Sequence, residues 1–201
     1  MAKRKTYHKE NLRQDLVDAG RAYVEEHGHE ALSVRTLAQE VGVSAGAPYH
    51  HFADRRLLLL AIASEGFKIL TDRASEIGSS ALSGRDKLIA LGLNFIDFSD
   101  QSPRMFELMY KSELTTPKHA PELEKYHAIG HRLIRAAIAS ELPRTPRKSI
   151  ETRALAFWAF VYGFAALRRI YSIRSFDRFN MSRDEVARAV VTRAAKAASA
   201  R

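Results

Sequence analysis

The stretch Thr36 to Phe52, TLAQEVGVSAGAPYHHF, leaves the chain few ways to fold. Gly42 supplies the positive φ that a tight turn needs. Pro48 lacks an N–H and clashes with the turn before it, so it is tolerated only near the start of a helix. The stretch therefore reads as two short helices joined by a tight turn. Ser33 caps the first, ahead of Val34, and Ser44 caps the second. Leu37, Ala38, Val41, Val43, Tyr49 and Phe52 point inward; Ser44, Ala45, Ala47 and His50 are left outward. A small outward-facing helix of that kind fits a DNA major groove.

On either side the apolar residues recur at helical spacing. From His8 to His27 the series Leu12, Leu16, Ala19, Tyr23, Val24 marks one buried face, and Gly28 stops the helix. Asp54 caps a helix through Leu57, Leu58, Ala61, Ile62, Phe67 and Leu70 to Ile77, long enough to act as a lever. Gly78-Ser79-Ser80 and Ser83-Gly84 then break the composition. The expected domains are residues 8–68 and residues 69–201. Five more helical segments follow. Ser83 and Asp86 open one over Arg85 to Ser99, and Ser102-Pro103 opens another to Ser112. The loop Thr115 to Pro121 leads into a helix ending at Leu142. A strongly apolar segment spans Ser149 to Tyr171, and Ser182 with Glu185 forms a capping box for Arg183 to Ala198. No alternating strand pattern occurs, so the expected fold is all-α with nine helices.

Composition narrows the chemistry. The 201 residues are 46% hydrophobic and 27% charged, as expected of a globular chain, and contain no cysteine. That excludes disulfides, cysteine-based zinc sites and a thiol nucleophile. The apolar run Ala154 to Leu167 is too short to span a bilayer, and no signal-peptide core precedes it, so a cytoplasmic chain is expected. The net charge of +9 is uneven. Counting Lys plus Arg against Asp plus Glu gives 9 and 8 in residues 1–56, 8 and 10 in residues 57–131, and 15 and 5 in residues 132–201. The region of the two short helices is thus nearly neutral. Its positive charge is concentrated in an arm of Lys3, Arg4, Lys5 and Lys9 and in Arg55 and Arg56, where phosphate contacts would need it.

With its flanks, SVRTLAQEVGVSAGAPYHHFADRRLLLLAI, this region resembles the DNA-binding domain of the tetracycline-repressor (TetR) family over residues 9–68. The order of parts carries the likeness: a first helix, the two short ones, YHHF near the end of the second, then Asp-Arg opening the fourth. The C-terminal Trp158-Ala-Phe-Val-Tyr162-Gly163 is similar to one subgroup, named for a Trp, a His and a Gly, with Tyr162 in the place of the His. The resemblance implies a three-helix DNA-binding domain and a helical domain for ligand binding and dimerisation. It implies a homodimeric regulator on a palindromic double-stranded DNA operator, more often a repressor, released by a small-molecule effector.

On that basis Arg35, Thr36, Ser44, Ala45, Ala47, Tyr49, His50 and Arg55 are the expected DNA-contacting residues. Small side chains let the backbone approach the groove, while hydroxyls and imidazole bond phosphates or base edges. The arginines begin helices whose amides also attract anions, and Arg55 is the foremost phosphate clamp. Structurally, Ser44 can be a cap alone and Tyr49 partly core. Phe67, Phe95, Phe98, Met105, Met109, Tyr110, Tyr126, Phe157 and Trp158 are the expected ligand-lining set, although such residues at helical spacing also build ordinary cores.

His127 and His131 have the spacing of a metal pair but lack a third ligand on their face, so no metal or other cofactor is expected. Catalysis is not expected either: there is no nucleophile elbow, no phosphate-cradling glycine loop and no close carboxylate pair. In the last two helices, Gly163 and Ala166 allow close helix approach and Ala189, Val190 and Arg193 share a side; the resemblance implies a four-helix dimer interface there, and the alternative is that these helices close the monomer's own core. Arg168, Arg169, Arg174 and Arg178 read as a solvated basic face. The alternative to an effector-controlled regulator is a DNA-binding dimer of the same fold whose C-terminal domain has no pocket.

Overall fold

A computed structural model of the chain describes residues 11–110, 112, 120–169 and 181–200. Among these residues there are eight α-helices, two short 3-10 helices and no strand. The helices are α1 (Leu12–His27), α2 (Val34–Val41), α3 (Arg55–Ser79), α4 (Gly84–Gln101), α5 (Pro103–Tyr110), α6 (Glu124–Glu141), α7 (Arg147–Arg168) and α8 (Arg183–Ser199). A 3-10 helix, Ala47–His50, stands where the third of the nine expected helices falls. The basic arm, the loop residues 113–119, and Tyr171, Arg174 and Arg178 lie outside the described residues.

The chain forms two compact units. Among the described residues, the first comprises those up to Lys68 together with those within Ser102–Glu124, and the second comprises Ile69–Gln101 and those from Lys125 onward. The expected C-terminal domain is a continuous stretch, residues 69–201, whereas the second unit is interrupted by Ser102–Glu124. The reason is packing. α5 lies against α1 in the first unit, with Met105, Phe106, Leu108 and Met109 all buried.

In the first unit α1 buries Leu16, Val17 and Val24. Gly20 sits where a Cβ would come 2.5 Å from Ile62 Cδ1, so the missing side chain is what lets α3 approach. Ser33 accepts a hydrogen bond from the Thr36 amide at 3.0 Å and starts α2. Gly42 ends it at φ 76°, in the left-handed region. Asp54 Oδ1 accepts from the Leu57 amide at 2.8 Å, capping α3. In the second unit α4 packs on α8 and α7, and α7 also packs on α8. Both halves of the Ser182–Glu185 capping box form at the start of α8. The Ser182 amide and hydroxyl also hold the Glu185 carboxyl below its ordinary range, the backbone bond counting for more.

α7 is long and apolar enough to cross a membrane by length and composition. Here Ala154, Phe157, Val161, Phe164 and Ala165 are buried, and α7 packs on α4 and α8.

Candidate nucleic-acid interface and aromatic clusters

The turn after α2 projects a continuous exposed surface. Arg35 at the start of α2 is exposed, and Ser44, Ala45 and Gly46 are exposed in the turn, followed by Tyr49, His50 and His51. Thr36 and Ala47 are half-buried. Thr36 is partly committed, its hydroxyl lying 2.6 Å from Ser33 Oγ.

Three expectations change here. Ser44 does not cap the short helix with its side chain; its carbonyl accepts from the Ala47 amide at 3.0 Å, and the helix begins after Gly46. The segment is 3-10 rather than α. Tyr49 does not point inward but is 53% exposed, because Pro48 and Phe52 occupy the buried side of this turn. The Phe52 amide bonds the Pro48 carbonyl at 2.9 Å, and the Arg13 guanidinium lies 5.2 Å from the centre of the Phe52 ring, fixing this end of the surface to α1.

Arg55 has a task that the sequence does not disclose. Its Nε donates to the Leu32 carbonyl at 2.6 Å, and its Nη2 donates to the carbonyls of His29 and Glu30 at 2.6 and 3.2 Å. One guanidinium thus ties the loop between α1 and α2 to the start of α3. Arg56, also half-buried, takes part in none of these bonds. Gly46 and His51 join the exposed surface without being among the expected site residues. Their signal lies in the sequence all the same: a glycine inside the turn and a second histidine beside His50.

The expected ligand-lining residues divide between the two units. Phe67, Met105 and Met109 are buried in the first, where Tyr110 stands edge-on to Phe67 with centroids 5.3 Å apart. They fill the core between α3 and α5: a Cβ on Gly66 would meet Met109 Sδ at 2.6 Å. In the second unit Phe95 and Phe157 are buried, while Phe98, Tyr126 and Trp158 are half-buried. Phe95 and Trp158 meet edge-on at 4.7 Å, and Tyr162 completes a trio at 6.4 Å from each. His131 reaches the same cluster, its ring 6.1 Å from Trp158.

α7 also carries an exposed apolar stripe. Leu155, Ala156, Ala159, Phe160 and Leu167 are exposed and Gly163 is half-buried, at spacings of three and four. Beside it, Ala156, Phe157 and Phe160 of α7 and Arg193, Ala194 and Ala197 of α8 line an apolar groove of about 440 Å³. Ala189 and Val190 are half-buried and Arg193 is exposed.

Of the basic residues at the end of α7, Arg168 is not solvated as expected. Its side chain is 5% exposed, pairs with Asp100 and donates to the Arg183 carbonyl at 2.8 Å. Among the described residues no group of three or more His, Asp or Glu side chains is arranged to hold a metal ion.

Comparison with known proteins matches residues 16–62 to the family described as bacterial regulatory proteins, tetR family. Residues 88–194 match the tetracyclin repressor-like C-terminal domain. The chain is 40% identical over 68 residues to the HTH-type transcriptional repressor AcnR of Corynebacterium efficiens, a match covering 34% of this chain and 36% of that protein. It is 28% identical over 172 residues to the HTH-type transcriptional regulator BetI of Yersinia pestis, covering 83% and 84%. The match to AcnR thus spans only about a third of that relative's length. A protein of unknown function from Rhodococcus sp. RHA1 superposes with a TM-score of 0.75 at 26% identity, over 97% of both chains. The TetR family transcriptional regulator PfmR of Thermus thermophilus superposes at 0.66 and 20% identity, covering 91% of this chain and 97% of that one, a likeness of fold.

Proposed function

This chain belongs to the TetR family of bacterial regulatory proteins, and from that premise we propose that it is a cytoplasmic, DNA-binding transcriptional repressor acting as a homodimer. The observation that carries the reading is the exposed surface from Ser44 to His51, whose small residues admit the backbone to a groove and whose hydroxyl, phenol and imidazoles reach base edges and phosphates. Its neighbours supply the charge: Arg35, Arg56 and the N-terminal arm bind phosphates. Arg55 acts one step back, by fixing the loop that positions α2.

The second copy seats on the exposed stripe of α7 and the adjoining side of α8. Leu155, Phe160 and Leu167 are 61%, 50% and 49% exposed there, more apolar surface than a lone helix keeps in water without use. Two such modules then meet successive major grooves about 34–36 Å apart. α3 is one continuous helix that contributes residues to both units. An effector bound in the second unit therefore acts by shifting α3. Nearly complete release requires that it prefer the released state by about 10⁴-fold, or ~5.5 kcal/mol.

Selection of bound sequences from random double-stranded oligonucleotides tests the reading. An inverted repeat must emerge, and enrichment with no repeat would contradict it.

A further inference from the structure

The second unit holds a cluster of rings flanked by two imidazoles. Phe95 lies beneath, and Trp158 and Tyr162 stand half-buried above it, one helical turn apart on α7. His131 of α6 flanks Trp158, and His127 lies one turn before His131 on the same helix, both half-buried. Flat, partly exposed rings held at fixed angles offer stacking and edge contacts to another flat ring.

On the two helices that carry the histidines and the tryptophan, the inner turns hold more cations than acids. α6 contains Lys125, Arg132 and Arg135 with the two histidines, and its acids, Glu124 and Glu141, stand at its two ends. α7 from Thr152 to Arg168 contains no Asp or Glu. Glu151, just before that run, is already bridged by Arg135 and Arg147 at 3.1 and 3.6 Å. On α4, Asp97 is flanked by Arg73 and Arg168 and also by the acids Asp184 and Asp100. Burial, and then the His131 imidazole, push the His127 pKa down. A second positive charge is thus disfavoured there, and a negative one would relieve that cost.

We infer that the Phe95, Trp158, Tyr162, His127 and His131 cluster binds a flat aromatic carboxylate, the ring against Trp158 and the carboxylate against the two imidazoles. This names the chemical class of the effector and rests on the proposal that the second unit binds one. Imidazole N–H groups are suitable donors to a carboxylate, and an imidazolium formed on binding adds charge to such bonds.

The test uses the full chain without DNA. Trp158 is its single tryptophan, so fluorescence reports this cluster alone. Cinnamate is compared with cinnamamide, which keeps the ring and removes the charge, by fluorescence and by calorimetry. The expected result is saturable quenching, with cinnamate bound at least about tenfold more tightly than the amide. In a His127→Gln, His131→Gln variant of unchanged melting temperature, amide affinity stays and cinnamate falls to the amide's level. Equal binding of acid and amide would overturn the inference. So would a variant that keeps its preference for the acid, or no quenching by cinnamate at concentrations up to about 10 mM. Adding operator DNA separates the two readings: if cinnamate binds but releases no DNA, the site stands and the effector role fails.

Discussion

Arg55 and Arg56 are adjacent arginines at the start of one helix, and the structure gives them different work. Replacing Arg55 by Ala removes three hydrogen bonds from a cation to the carbonyls of Leu32, His29 and Glu30. Bonds to charged groups contribute about 1.5–3 kcal/mol each. Two of these share one nitrogen, and the carbonyls can be rehydrated in the variant, so the net loss is about 2–3 kcal/mol rather than the sum. For a chain of this size that lowers the melting temperature by roughly 4–12 °C. DNA affinity falls with it, because the loop before α2 is no longer held. The salt dependence does not change, since no phosphate contact is lost. Arg56→Ala behaves the opposite way: stability is unchanged, and the slope of log K against log salt becomes shallower by about 0.9. Thermal melts and fluorescence anisotropy over a salt series read both quantities. An Arg55→Ala protein that melts normally but has the shallower slope would refute this assignment.

Other substitutions probe other parts of the molecule. A Cβ on Gly46 meets nothing within 4 Å and its φ is an ordinary −84°. Gly46→Ala should therefore stabilise the fold by about 0.4–1 kcal/mol in chemical denaturation. Gly46→Glu should melt normally and lose DNA binding by gel shift, and normal binding would remove the turn from the interface. Phe160→Ala should cost about 1 kcal/mol per copy, or roughly 30-fold in the dimer dissociation constant, measured by analytical ultracentrifugation. Burial raises the pKa of Asp97 above its ordinary 3.8. An acid raised in the folded state is a cost that appears as pH rises from 3.8 through the folded value. Asp97→Asn should therefore flatten stability against pH above 3.8 and leave the protein no less stable at about pH 7, which melts across a pH series would check.

Much of the fold is written in local signals. Ser33, Gly42, Asp54 and the Ser182–Glu185 pair each act within a few residues, and each end of helix they mark is found. What these signals leave out is either a partner distant in sequence or a departure from the α-helical period. Arg55 bonds carbonyls 23 to 26 residues away, and no spacing rule distinguishes it from Arg56. An α-helical period places Tyr49 inward, but the segment is 3-10, with Pro48 on the buried side. Arg168 reads as one of a basic group, yet its partners lie on α4 and at the start of α8. Aromatic spacing selects the ligand-lining set without showing that its members belong to two different compact units.

On the proposed reading, two copies of the surface from Ser44 to His51 enter successive major grooves, and hydroxyl-radical footprinting on a selected operator measures this directly. Two protected patches are expected on one face of the duplex, with centres about 10–10.5 base pairs apart or a multiple of that. Both patches should vanish together in Gly46→Glu. A single patch, or protection that follows no helical repeat and survives Gly46→Glu, would contradict it.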